Sequence, residues 1–161
     1  MRTFGSSAPA ATLSLVVLAA ALIACATRAG ELPAHAGEIQ NHLEFLGYEV
    51  SQNDDSILAI HEERPNLQIR SASGGTLLLS YWQANDYARA HRAEFLELVN
   101  YFNVNATTAT FYIDDDGDLG FSGWFIGDYD KIRFGQFLER WNRDWADLVQ
   151  RDFARAQKFL E

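Results

Sequence analysis

Residues 98–126 read LVNYFNVNATTATFYIDDDGDLGFSGWFI, and two changes of period inside this stretch decide the fold. Leu98, Val99 and Phe102 continue from Phe95 at i, i+3, i+4, i+7, the spacing of a helix with one buried face. Arg92, Glu94 and Glu97 fall off that stripe. After Asn103 the period becomes two. Phe111 and Ile113 share one side, Thr110 and Tyr112 the other. Asp114-Asp115-Asp116-Gly117-Asp118 interrupts the alternation, and Leu119, Phe121, Gly123 and Phe125 then resume one face. Tyr112, Trp124 and Ile126 form the alternate set. Asp-Gly between two alternating runs signals a hairpin, because both residues tolerate the positive φ of a tight turn. The stretch predicts helix, strand, turn, strand.

Working outward, the helix begins near Asp86, a candidate cap. Ahead of it lie three strand candidates: Ile57–His61, Leu67–Arg70 and Thr76–Trp82. Arg64-Pro65-Asn66 and Ser73-Gly74-Gly75 punctuate them, which suggests an antiparallel meander. Earlier still, Ile39, Leu43 and Leu46 have helical spacing beside Phe45, and Gly47 stops that helix. Toward the carboxyl end, Phe134, Leu138, Trp141, Trp145, Leu148, Val149, Phe153 and Ala156 make one stripe of a single long helix. Arg140, Arg143, Asp144, Asp147 and Arg151 occupy the rest of its surface, and Asp128 or Asp130 caps its start. The expected order is α-β-β-β-α-β-β-α, an α+β fold in which helices cover one face of a five-stranded antiparallel sheet.

Composition sets the boundaries of that reading. Of 161 residues, 48% are hydrophobic and 22% charged, which excludes a collagen-like or largely disordered chain. One domain suits this length. Thirteen basic against 22 acidic residues give a net charge of -9, and an acidic surface repels phosphate backbones. No nucleic-acid partner is expected, and a membrane is reached only through a lipid or signal anchor.

That anchor is written at the amino terminus. Between Arg2 and Arg28 there is no charge, and residues 13–24 read LSLVVLAAALIA, the pattern of a secretory signal peptide. Leu22-Ile23-Ala24-Cys25 has the form of a bacterial lipobox, which makes Cys25 the lipidation candidate. Ala24-Cys25-Ala26 serves ordinary signal peptidase as well, and the uncharged run is long enough to remain as a membrane anchor. The expectation is a signal peptide over residues 1–24, a tether over 25–37 and one domain over 38–161, placed on the periplasmic side of the envelope. Cys25 is the sole cysteine, so the domain holds no disulfide.

Motifs for catalysis are scarce. Asp114, Asp115, Asp116 and Asp118 could offer oxygen ligands to calcium, but Leu119 and Phe125 stand where an EF-hand loop requires glycine and glutamate. A solvated hairpin turn accounts for them more simply. Gly120-Phe121-Ser122-Gly123-Trp124 brushes against the nucleophile elbow, with Trp124 in place of its second glycine. His35, His42, His61 and His91 have no zinc-ligand spacing. No cofactor motif is present. Four Trp, six Tyr and eleven Phe are many for one domain, and on regular stripes such residues are core. The face of the sheet opposite the helices is the exception: there Tyr112, Trp124 and Ile126 would form an apolar patch able to bind a peptide or a second subunit.

Leu98–Asn103 followed by Thr110–Leu119 resembles the YbjN family of candidate bacterial sensory transduction regulators. Its members show an asparagine-bearing helix end, a strand, an acidic D-D-G-D hairpin and a following strand. Asn100, Asn103, Asp114, Asp115, Asp116, Gly117 and Asp118 carry the likeness here, and Phe137, Leu138 and Trp141 match the closing helix. The family fold is similar to that of class I type III secretion chaperones, which have the same element order. The resemblance implies a non-enzymatic regulatory or chaperone-like module that binds another polypeptide or its own copy, with Asn100 and Asn103 as structural caps to the hairpin. Many relatives are cytoplasmic, whereas this chain carries an export signal. The competing expectation is a small metal-binding or hydrolytic envelope protein using His and Asp residues brought together by folding.

Overall fold

The computed structural model describes residues 31–161, so the signal-like segment 1–24 and Cys25 lie outside the described residues. The elements are α1 (Ala36–Phe45), β1 (Glu49–Gln52), β2 (Ile57–Ile60), β3 (Leu67–Ala72), β4 (Gly75–Trp82), α2 (Asp86–Ala90), α3 (Arg92–Asn105), β5 (Thr110–Ile113), β6 (Leu119–Ile126), α4 (Lys131–Trp145) and α5 (Phe153–Ala156). All pairings are antiparallel, in the spatial order β1-β2-β3-β4-β6-β5. The architecture is α+β, as expected, with helices on one face of the sheet.

The sheet has six strands rather than five. The added strand, Glu49–Gln52, carries little sequence signal because only Val50 in it is apolar. As an edge strand it buries little, and pairing with β2 through Val50↔Ala59 and Ser51↔Leu58 supplies its order. The start of α2 also differs in detail. Asn85, not Asp86, is the cap, its side chain accepting from the Ala88 N–H at 3.0 Å. Asp130 caps α4 through Arg133 N–H at 2.8 Å.

The core lies between the sheet and the helices. Phe111, Phe121 and Phe125 project from the β5–β6 hairpin onto it, with Phe102 from α3 and Phe134 and Trp141 from α4. Trp141 is fully buried and stacks on Phe121 at 4.0 Å between ring centroids. The closing segment is not one continuous helix. A π-helical turn, Ala146–Gln150, follows α4, with Arg151 N–H bonding Ala146 O at 2.9 Å. The wider turn rotates the apolar stripe. Trp145 stacks on Trp82 at 4.1 Å and Leu148 and Val149 stay buried, but Phe153 turns outward to 54% exposure.

The acidic hairpin forms where the sequence places it. Gly117 has φ of 88°, which its lack of a Cβ permits, and its N–H bonds Asp114 O at 3.1 Å. The segment read as a tether is described only from Glu31. There Glu31 O accepts from Ser71 N–H at 2.6 Å beside β3, in a stretch of that strand beyond the reach of β2.

Candidate functional site: the open face of the sheet

Register places side chains on the uncovered face without ambiguity, because residues directly paired across strands point the same way. One row runs Tyr112, Gly120, Tyr81; a second Ser122, Leu79, Gln68, Leu58; a third Trp124, Leu77, Arg70; a fourth Ile126, Gly75, Ala72. Tyr112, Trp124 and Ile126 are therefore brought together on one face as the alternation predicts. Trp124 is 44% exposed and Ile126 62% exposed. Exposed Ile60 extends the apolar strip toward β1. Arg70 and Glu49 are the charged members of these rows and their β1 continuation.

Three contacts hold the aromatic part of this face in shape. Trp124 Nε1 donates to Ala72 O at 3.0 Å, laying the indole over the β3–β4 turn. The Tyr112 ring lies on Gly120, where a Cβ would come within 2.3 Å of its Cζ; only glycine lets the ring sit this low. Tyr112 Oη then donates to Tyr81 Oη at 3.1 Å with the rings edge to face. The patch is thus preorganised, which lowers the ordering cost of binding.

The family-motif residues do structural work beside it. Asn103 clasps the main chain of Phe111, Nδ2 donating to the carbonyl at 2.9 Å and Oδ1 accepting from the N–H at 2.8 Å. Asn100 is exposed on α3 and does not share that clasp. Asp114 Oδ1 accepts from Asp118 N–H at 2.8 Å. Asp118 Oδ1 accepts from Ala84 N–H at 2.9 Å and Arg89 Nη2 at 3.0 Å, tying the hairpin to α2. Arg89 Nη1 also reaches Asp116 O. Burial raises the Asp114 pKa, with the Asp118 N–H opposing and the Asp118 and Asp116 charges adding to the rise. Asp115 is exposed at the turn.

Among the described residues, no group of three or more His, Cys, Asp or Glu is gathered to hold a metal. His42 is buried beside Tyr129, with Nδ1 and Tyr129 Oη 3.0 Å apart, and burial, then the Lys131 charge, lowers its pKa. His61 packs against Tyr48 and His91 against Tyr87, well apart in the chain. Ser122 sits inside β6, not at a strand-to-helix turn. A cleft of about 540 Å³ opens on the helical side, lined by Arg64, Arg143, Glu63, Glu139 and His42. Its charges balance, and Arg143 pairs with Glu139 at 3.3 Å.

One residue escaped the sequence reading. Asp144, assigned above to the outer surface of the closing helix, is buried at 5% exposure. Its carboxylate accepts from the N–H groups of Thr107, Thr108 and Ala109 and from Thr107 Oγ1, at 2.7 to 3.0 Å. The correction has a physical basis: three consecutive main-chain donors entering β5 need an acceptor, and α4 supplies it. Its position three residues after Trp141, beside the apolar stripe, was the available signal.

The crystal structure of YbjN from E. coli, a candidate transcription regulator, matches with a TM-score of 0.62 over 78% of this chain and 94% of that one, at 12% identity. The two chains share a fold. The heterodimeric ExoU-SpcU complex of the type III secretion system of Pseudomonas aeruginosa matches with a TM-score of 0.49, at 20% identity over 70% of this chain and 95% of that one. No protein-family model and no curated protein matches the sequence. Among the described residues, no helix is long and apolar enough to cross a membrane.

Proposed function

We propose that this protein is a non-enzymatic binding module that holds another polypeptide, in a chaperone-like or regulatory role, on the open face of its sheet. The observation that carries the reading is the strip of Tyr112, Tyr81, Leu77, Trp124 and Ile126, uncovered by any described element while the opposite face is buried. Exposed contiguous apolar surface on a folded domain is the usual mark of a binding site, and a rigid Trp and Tyr pair makes a suitable anchor. The shared fold with YbjN is consistent with a regulatory task. The signal-like amino terminus supports a location on the periplasmic side of the envelope, as a lipoprotein through Cys25, as a secreted domain or with the apolar segment kept as an anchor.

Crosslinking in cells, followed by affinity purification of the full-length protein, tests both parts. A dominant partner retained by the wild type and lost by Trp124→Ala, with the variant still folded, supports the reading. Unfolding of Trp124→Ala would instead make that residue part of the framework and remove the patch as a site. Labelling of Cys25 by a clickable fatty acid separates the anchored form from the soluble one.

A further inference from the structure

We propose that the unpaired half of the β6 edge accepts an extended acidic segment of the partner polypeptide as an added strand. This deepens the protein-binding reading above and rests on it. The site follows from a mismatch in strand length. β6 runs from Leu119 to Ile126, but β5 pairs only with Leu119–Ser122. Asp144 explains why β5 begins so late. By taking the N–H groups of Thr107, Thr108 and Ala109, it draws that segment onto α4 and off the line that would continue the ladder.

The parity of the vacant edge is fixed by one hydrogen bond. Gly127 N–H donates to Gly74 O at 3.1 Å, in the same register as the rest of the β4–β6 ladder. In an antiparallel ladder such bonded pairs alternate, so the odd residues of β6 turn their main-chain groups toward β4. Trp124 and Ile126 turn theirs outward, where no described strand meets them. An incoming strand finds two N–H and two C=O groups at the spacing it needs.

Charge names the occupant. A groove of about 290 Å³ runs along this edge, floored by Phe125 and Phe137 and flanked by Arg133 and Arg140, with no carboxylate in its lining. Neither arginine forms an ion pair with a described residue. In a chain of net charge -9, a basic groove over an apolar floor selects an extended segment that alternates apolar and acidic residues. Residues 1–30 contain no Asp or Glu and fit it poorly. A second copy pairing edge to edge would bring its own arginines against these.

The test uses the full domain and a panel of twelve-residue peptides alternating Val, Ile, Tyr or Thr with Glu or Asp, each matched by a version carrying Lys in place of the acids. Fluorescence anisotropy reads affinity, and amide hydrogen exchange by NMR reads the edge. The expected result is binding of acidic peptides about tenfold tighter than their Lys versions, as two ion pairs with the arginines would give. Exchange should slow at Trp124 and Ile126 while Gly123 and Phe125, already bonded to β4, stay unchanged. Arg133→Glu with Arg140→Glu should invert the charge preference, and Ile126→Pro, which removes an outward N–H, should abolish binding. Three results overturn the proposal. Failure of every acidic peptide at millimolar concentration would leave the arginines as guards of an idle edge. Binding that shifts Tyr81 and Tyr112 signals without protecting Trp124 and Ile126 would keep the open face as the site and reject the edge. Protection that appears without peptide, together with sedimentation as a dimer, would assign the edge to a second copy.

Discussion

Replacing Asp144 by alanine tests whether one carboxylate holds the junction between α3, β5 and α4. The side chain accepts five hydrogen bonds, from the main chain of Thr107, Thr108 and Ala109, with Thr107 bonding both oxygens, and from Thr107 Oγ1. Bonds to a charged acceptor contribute roughly 1.5–3 kcal/mol each, and an unsatisfied buried donor costs about 1–3 kcal/mol. Thr107 is exposed, so water recovers its N–H, whereas Thr108 and Ala109 are half-buried. Counting two incompletely rehydrated donors and allowing for relaxation, Asp144→Ala should lose about 3–5 kcal/mol. Asp144→Asn keeps one acceptor oxygen and should lose about half of that. Urea unfolding followed by tryptophan fluorescence reports the difference, since Trp141 and Trp145 share α4 with the mutated site. A loss below about 1 kcal/mol in the alanine variant would refute the account, because it would show that these donors find other partners at little expense.

Four further outcomes follow from the same contacts. Trp124→Ala should change unfolding free energy by less than about 1 kcal/mol, since it removes one surface hydrogen bond and a half-exposed ring, while abolishing partner capture. Gly120→Ala should destabilise by about 1–3 kcal/mol, because its Cβ would strike the Tyr112 ring, and adding Tyr112→Ala should recover part of the loss in a double-mutant cycle. Stability should fall as pH drops through about 6.5: the unfolded state then gains a proton on His42 that the folded state, with its lowered pKa, resists. That share of stability is complete above this pH, and His42→Gln should flatten the profile between pH 7.5 and 5.5. Asp118→Ala should free Ala84 N–H and leave Arg89 only its bond to Asp116 O, loosening α2 against the hairpin, visible as faster amide exchange at Ala84 with β6 unaffected.

The legible parts of the fold are those where burial alone sets the pattern. Phe95, Leu98, Val99 and Phe102 all face the core from α3, and Leu119, Phe121 and Phe125 from β6, because a helix and a strand with one dry face impose periods of 3.6 and 2 on the sequence. Tyr112, Trp124 and Ile126 were legible for the complementary reason: in an alternating strand the apolar residues left over from the core face must lie outward. Elements held by main-chain pairing were not. β1 shows almost no apolar signal, since an edge strand can be ordered by its ladder alone. The π-helical turn after Trp145 leaves the stripe nearly intact in sequence, and only the outward turn of Phe153 betrays the extra residue in space. Asp144 failed for a third reason. A buried carboxylate is recognised by the donors it meets, and those lie 35 to 37 residues away in the chain.

That long-range contact also bears on the free edge of β6. Were residues 107–109 to continue β5 in register, Ala109 would pair with Gly123 and Thr108 with Trp124, and the edge of β6 would be closed as far as Phe125. The carboxylate on α4 prevents this by offering those N–H groups stronger, charge-assisted partners. An aspartate that stabilises the domain therefore also keeps half a strand unpaired, and unpaired edges are normally a liability that folding sequences blunt. Here Arg133 and Arg140 flank it, charges that repel cationic strands while remaining complementary to acidic ones. The open face and the open edge meet at Trp124 and Ile126, whose side chains belong to the first and whose main-chain groups belong to the second. A polypeptide bound there would be read twice by the same two residues, through its backbone at the edge and through its side chains across the face.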